Sequence, residues 1–168
     1  MAEPLLSLRG VKTDIGQYHI LHGVEFDVPE GGLTMLLGRN GAGKTTTLRT
    51  IMGLWRAVAG EIRFAGEDIT RMSTPDIARL GIAYVPETMA IFADLTVQEN
   101  LAFPLRRHGK SRTEEEINDI ILETLSNVGL AHAADLMPSE LSGGMRKRIG
   151  LARSLVMHPE IMLYDEPT

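Results

Sequence analysis

The chain has 168 residues, enough for one domain with a real core but not comfortably two. Its 43% apolar and 23% charged content is that of an ordinary globular domain, and a net charge of −5 argues against a nucleic-acid partner. The absence of cysteine excludes disulfides and thiolate-held metals, and no apolar run approaches the roughly 18 residues of a membrane span. Met1-Ala2-Glu3-Pro4 lacks the basic start and apolar stretch of a signal peptide, so a soluble cytoplasmic domain is expected.

The first third reads as strands and turns. Leu6 and Leu8 alternate with polar neighbours, and Val24, Phe26 and Val28 alternate with Glu25 and Asp27, as in a strand with one polar face. Pro29-Glu30-Gly31-Gly32 is a turn, and Leu33 to Leu37 is a short apolar run expected to form a strand buried on both faces. A helix is expected from Lys44 to Met52, stopped by Gly53. Glu61 to Phe64 and Ile82 to Val85 read as further strands, with turn chemistry at Ala65 to Asp68. In the middle, Thr113 and Glu116 form a capping-box pattern ahead of Ile117, Ile120, Ile121, Leu125 and Val128 at helical spacing, closed by Gly129. Ser142 caps a helix running to about Met157, Pro159 lies beyond its end, and Ile161 to Tyr164 is a last strand. Strand–loop–helix order with buried strands predicts an α/β fold with a largely parallel sheet.

Three constellations carry chemistry. Gly38-Arg39-Asn40-Gly41-Ala42-Gly43-Lys44-Thr45 fits G-x-x-x-x-G-K-[ST], between a predicted buried strand and a predicted helix. Glycines let successive N–H groups face a phosphate, the helix N-terminus adds its positive end, Lys44 reaches the β- and γ-phosphates, and the Thr45 hydroxyl can bind Mg²⁺. The alternative is a glycine-rich turn that matches by chance. Asp165 and Glu166 end an apolar strand, where a parallel sheet binds its ligands. Behind a phosphate loop, the first acid would hold Mg²⁺ through water and the second would orient or deprotonate the attacking water, which favours hydrolysis over transfer to a hydroxyl. The plainer alternative is two solvated acids in a loop.

The third constellation is Leu141-Ser142-Gly143-Gly144-Met145, followed by Arg146-Lys147-Arg148. Most such sites are only helix caps, yet a basic first turn opposes the helix dipole and invites an anion. One chain cannot easily bring two phosphate-facing loops to the same γ-phosphate. A head-to-tail dimer can, with each Ser142 loop covering the nucleotide held by the other chain's Lys44 loop.

In these motifs the sequence resembles the ATP-binding subunits of ABC transporters, over essentially its whole length. GRNGAGKTT, residues 38–46 and so including Thr46, resembles their Walker A loop, LSGGM their signature motif and IMLYDEP their Walker B strand. Val85-Pro86-Glu87, with LTVQEN shortly after, resembles the Q-loop region that contacts the membrane subunit. The resemblance implies a P-loop NTPase fold with an N-terminal antiparallel β part and a helical subdomain. A nucleotide-binding core would occupy residues 1–88 and 158–168, and the helical subdomain, with the signature helix, residues 89–157. It further implies ATP and Mg²⁺ as ligands, a head-to-tail dimer closed by ATP and reopened by hydrolysis, and permease partners holding the subunit on the inner face of the membrane. Gly38, Asn40, Gly41, Ala42, Gly43, Lys44, Thr45, Thr46, Ser142, Gly143 and Gly144 would bind the nucleotide. Thr45, Glu87 and Asp165 would hold the metal, and Lys44 and Glu166 would serve catalysis.

The sequence departs from the family pattern at several positions. Glu87 stands where most members carry Gln, and Met145 replaces a common Gln. The adenine-stacking ring is expected near Ile15, where Tyr18 is the nearest aromatic; a packing or surface tyrosine is the other reading. MLLGRNGAGKTTTLRTIMGL and GIAYVPE resemble ATPases of branched-chain amino-acid importers, whereas FPLRRH and LMPSELSGGMRKR resemble those of Mla-type phospholipid trafficking. Import of branched-chain amino acids leads. Lipid trafficking, a non-transport relative in DNA maintenance or translation, a small-molecule kinase and a partial fold are the alternatives. The family's dimer-facing loop and switch histidine follow the carboxylates, and His19, His22, His108, His132 and His158 all precede Asp165, so the sequence reads as C-terminally truncated.

Overall fold

The computed structural model describes residues 3–88, 91–108 and 112–165. The chain divides into two units, one ending at Leu80 and one beginning at Gly81.

The first unit is built on an antiparallel sheet. Strands β1 (Leu6–Ile15), β2 (Tyr18–Val28), β3 (Ala57–Phe64) and β4 (Glu67–Asp68) lie in the order β2-β1-β3-β4. β1 is central, and Leu8 pairs with Phe26 on one side and Ile62 on the other. Leu6, Leu8, Ile62 and Phe64 are buried, as their alternation with polar residues requires. Irregular register at Arg9–Lys12 bends β1, and there Gly60 comes so close that a Cβ would lie 2.5 Å from the Gly10 backbone. Helix α1 (Lys44–Ile51) packs on β2, and the buried hydroxyls of Thr13 and Thr50, 3.1 Å apart, tie it to β1. Helix α2 (Thr74–Arg79) has Ser73 as its cap and Pro75 in its first turn, start signals that the sequence reading passed over.

The second unit carries a helical cluster and a parallel strand pair. Helices α3 (Val97–His108), α4 (Glu114–Asn127) and α5 (Gly143–Leu155) bury Val97, Leu101 and Leu105, then Ile117, Ile121 and Leu125, then Ile149 and Ala152 in one core. The four-residue spacing on α3 and α4 puts each trio on one face. The Thr113–Glu116 capping box forms as expected, and Arg148 of α5 donates to the Val128 carbonyl at the end of α4. Helix α3 had no separate place in the sequence reading. Thr96 and Glu99 cap its start reciprocally, side chain to main-chain N–H, and the buried Asn100 side chain bonds the N–H and carbonyl of Phe92 and the carbonyls of Leu95 and Thr96. Strands β5 (Ile82–Val85) and β6 (Ile161–Tyr164) pair in parallel, Ile82 with Ile161 through Val85 with Tyr164.

The α/β class, the N-terminal antiparallel part and the parallel pairing are all present. One expectation fails. Leu33 to Leu37 forms no strand, and Leu33, Met35 and Leu37 are 89%, 69% and 84% exposed. A strand buried on both faces needs neighbours on both edges and a layer on each face, and neither sheet among the described residues includes this segment. Residue pattern supplies β propensity, not a partner.

Candidate functional site

The phosphate loop is assembled within the first unit. Gly41 at φ 84° and Gly43 at φ 92° take left-handed conformations that cost an L-residue roughly 1–2 kcal/mol each. A Cβ on Gly43 would also stand 2.9 Å from Leu21 Cδ2, so β2 presses directly on the loop. The Ala42 N–H donates to the Arg39 carbonyl and closes a turn through Asn40 and Gly41. Lys44 folds back over this turn, its ammonium donating to the carbonyls of Gly38 (2.9 Å) and Arg39 (3.1 Å). No side chain caps α1, whose cap position is Gly43 itself, and Thr45 and Thr46 stand in its first turn. A glycine cradle, a cation over it and an uncapped helix N-terminus together favour a phosphate chain.

In the second unit, β6 delivers Asp165, 2% exposed. The Asp165 N–H continues the parallel ladder by donating to the Val85 carbonyl at 3.0 Å, and the Tyr84 hydroxyl donates to Asp165 Oδ2 at 3.0 Å. Tyr84 is expected from the sequence only as part of the strand Ile82 to Val85, with no site role; the register of β5 on β6 brings it to the acid. Glu87 is exposed just beyond β5, and Glu166 lies outside the described residues. Among the described residues no three His, Cys, Asp or Glu side chains gather as a ready-made metal cage. The expected donors are instead the Thr45 hydroxyl and the Glu87 and Asp165 carboxylates. Such hard oxygen ligands suit Mg²⁺, which characteristically takes one or two carboxylates together with substrate phosphates. Thr45 of the first unit and Asp165 and Glu87 of the second are each oxygen donors of that kind.

The Ser142 loop is a second glycine-rich helix start. The Ser142 hydroxyl accepts from the Met145 N–H at 3.2 Å, and Ser142, Gly143 and Gly144 are all exposed. Neither glycine has a positive φ, and a Cβ on either would meet nothing within 4 Å. Tyr18 starts β2 opposite Ile15 and is 74% exposed. Beside the LTVQEN segment, Leu95, Glu99, Phe103, Arg106 and Arg107 line an open cleft of about 350 Å³. Next to it Phe103 meets the ring of Phe92 edge-on, and the Arg153 guanidinium lies 4.3 Å over Phe92, its pKa lowered by burial. Among the described residues no helix is long and apolar enough to cross a membrane.

Sheet, helix and glycine cradle define the chain as a phosphate-loop α/β domain. A family model described as "ABC transporter" matches residues 21–168, and the chain belongs to that family, as an ATP-binding domain. It is 39% identical over 166 residues to the probable ribonucleotide transport ATP-binding protein of Mycobacterium leprae, covering 96% of this chain and 47% of that protein. It is 42% identical over 164 residues to a sulfate/thiosulfate import ATP-binding protein of Bordetella pertussis, covering 96% of this chain and 46% of that one. The chain thus spans about half the length of the curated relatives it matches. Among solved structures, the ATP-binding cassette described as a dimer in a post-hydrolysis state with ADP and Pi superposes with a TM-score of 0.86 at 27% identity. That match covers 97% of this chain and 74% of the solved one.

Proposed function

We propose that this chain is the nucleotide-binding part of a subunit that binds MgATP and hydrolyses it to energise an ABC importer. The observation that carries the reading is the phosphate loop: two left-handed glycines, an uncapped α1 and a lysine held over the turn by loop carbonyls. Lys44 exchanges those carbonyls for the β- and γ-phosphates, while the N–H groups from Gly41 to Thr46 surround the phosphate chain. Thr45, Asp165 and Glu87 are the residues that would hold Mg²⁺, and the ion, when bound, would neutralise charge on the phosphates. Glu166 orients the attacking water and accepts its proton. The water oxygen bonds to the γ-phosphorus as the bond from that phosphorus to the β–γ bridging oxygen breaks; ADP leaves with the bridging oxygen, inorganic phosphate keeps the water oxygen, and Glu166 then returns its proton to phosphate or solvent. Tyr18 offers its exposed ring to adenine.

The open Ser142–Gly144 surface supports a head-to-tail dimer with a like subunit, in which this loop covers the other chain's nucleotide. The cleft beside LTVQEN supports docking of a permease subunit, which holds the protein on the cytoplasmic face of the membrane. Both curated relatives are named for transport, one explicitly for import, which favours the importer reading. For cargo, the phosphate-loop stretch and GIAYVPE with its Glu87 support branched-chain amino acids. In the full-length subunit with its permease, ATP should release phosphate and Glu166→Gln should lower turnover about 1,000-fold while ATP still binds. Wild-type turnover in that variant removes Glu166 as the base. Deletion of the gene should abolish leucine uptake; loss of sulfate uptake instead overturns the cargo.

A further inference from the structure

We propose that Tyr84 is a positioning residue for the Asp165 carboxylate, and that metal affinity, rather than nucleotide affinity, depends on its hydroxyl. The inference rests on the reading of Asp165 as a metal-serving acid. Its geometric basis is independent of that reading. Parallel pairing aligns Tyr84 with Leu163 and Val85 with Tyr164, so Asp165 follows directly from the last paired residue. Its main chain is fixed by the bond from its N–H to the Val85 carbonyl, and its carboxylate by the Tyr84 hydroxyl at Oδ2.

The direction of that bond is set by chemistry. An ionised carboxylate only accepts, so the phenol must donate. The bond engages one carboxylate oxygen and restricts rotation of the side chain about its Cβ–Cγ axis, which fixes where the second oxygen points. Asp165 is buried and Tyr84 half-buried, so the bond is formed where water competes poorly and is correspondingly stronger. Partners that orient a metal-ligating carboxylate commonly change metal affinity by about 10- to 100-fold when removed. A tyrosine serving only as packing would be replaced by phenylalanine without such a change, since the ring is retained.

The test uses the full-length protein with a non-hydrolysable ATP analogue, and reads Mn²⁺ affinity from the free-ion signal in electron paramagnetic resonance. Tyr84→Phe should weaken Mn²⁺ about tenfold and leave analogue affinity in EDTA within about twofold. Asp165→Asn should weaken Mn²⁺ more, about 100-fold, and adding Tyr84→Phe to it should cost nothing further. If Asp165→Asn loses Mn²⁺ while Tyr84→Phe matches wild type, the Tyr84 proposal falls and the metal reading stands. Should Asp165→Asn keep wild-type Mn²⁺ affinity, both fall together. A proportional loss of analogue binding in EDTA makes Tyr84 structural and overturns the proposal. As a measurement that leaves the hydroxyl in place, 3-fluorotyrosine at position 84 should shift its ¹⁹F resonance on Asp165→Asn and on Mg²⁺ addition to the loaded protein. An unmoved resonance overturns the proposal.

Discussion

Two glycine-rich helix starts in this molecule obey opposite constraints. At the head of α1 the glycines answer to their own chain: Gly41 and Gly43 are left-handed, and a Cβ at Gly43 would crowd the Leu21 side chain of β2. At the head of α5, Gly143 and Gly144 are helical and open, and Ser142 already supplies an ordinary cap. Among the described residues nothing in the second unit requires glycine there. The glycines of the phosphate loop are thus required by their own unit, whereas those at the head of α5 are not.

The largest break in that comparison comes from the loop's cation. Lys44→Ala should weaken ATP binding about 100-fold, the scale of losing charge-assisted bonds to phosphate, with the melting curve little changed. Titration calorimetry decides it, and a loss below about threefold would sink the cradle assignment. Gly43→Ala should destabilise the protein by about 2 kcal/mol or more in urea unfolding, because the strain of a left-handed alanine adds to the contact with Leu21. An unchanged midpoint would show that the loop relaxes freely.

Ser142→Ala should cost about 1 kcal/mol through loss of the cap on the Met145 N–H. Gly144→Ala should do the reverse, stabilising the unassociated protein by about 0.5 kcal/mol while abolishing ATP-dependent dimers in light scattering. If those dimers persist, the open glycines are not a contact for the partner's nucleotide.

The smallest effect serves as a reference that neither loop controls. The Thr70 hydroxyl, and after it the Thr70 N–H, hold the Asp68 carboxyl below the usual aspartate range. A depressed folded pKa contributes stability above the unfolded value, and that contribution fades as pH falls through the folded one. Thr70→Val removes the hydroxyl, so the Asp68 titration followed by NMR should move up towards the ordinary carboxylate value. A titration that stays in place would assign the shift to the backbone bond alone.

Much of the site was legible in the residues because its chemistry is local. The helix after Gly43, the capping box at Thr113, the cap at Ser142 and strands β5 and β6 all stand where short-range patterns put them. Helix α3 carries short-range signals of its own, the Thr96–Glu99 capping box and Val97, Leu101 and Leu105 at four-residue spacing; only the bonds from buried Asn100 to Phe92 and Leu95 lack a periodic signature. The Tyr84–Asp165 bond was missed because its partners lie 81 residues apart. The segment Leu33 to Leu37 was misjudged for the opposite reason. Apolar character was read as burial, although burial also needs a sheet that accepts the strand.

The sequence by itself determined the chemistry on offer: a glycine loop able to cradle phosphate, a lysine and threonine beside it, acids after an apolar strand, and a capped glycine start on α5. Those features depend on φ preferences, helix dipoles and side-chain donors, which act within a few residues. Only the tertiary structure decided which glycines are compelled and which are spare, and which hydroxyl grips Asp165. Those outcomes depend on atoms brought into contact by strand register and helix packing, such as Leu21 against Gly43 and Tyr84 against Asp165, and such contacts are set by the whole unit rather than by any stretch of it.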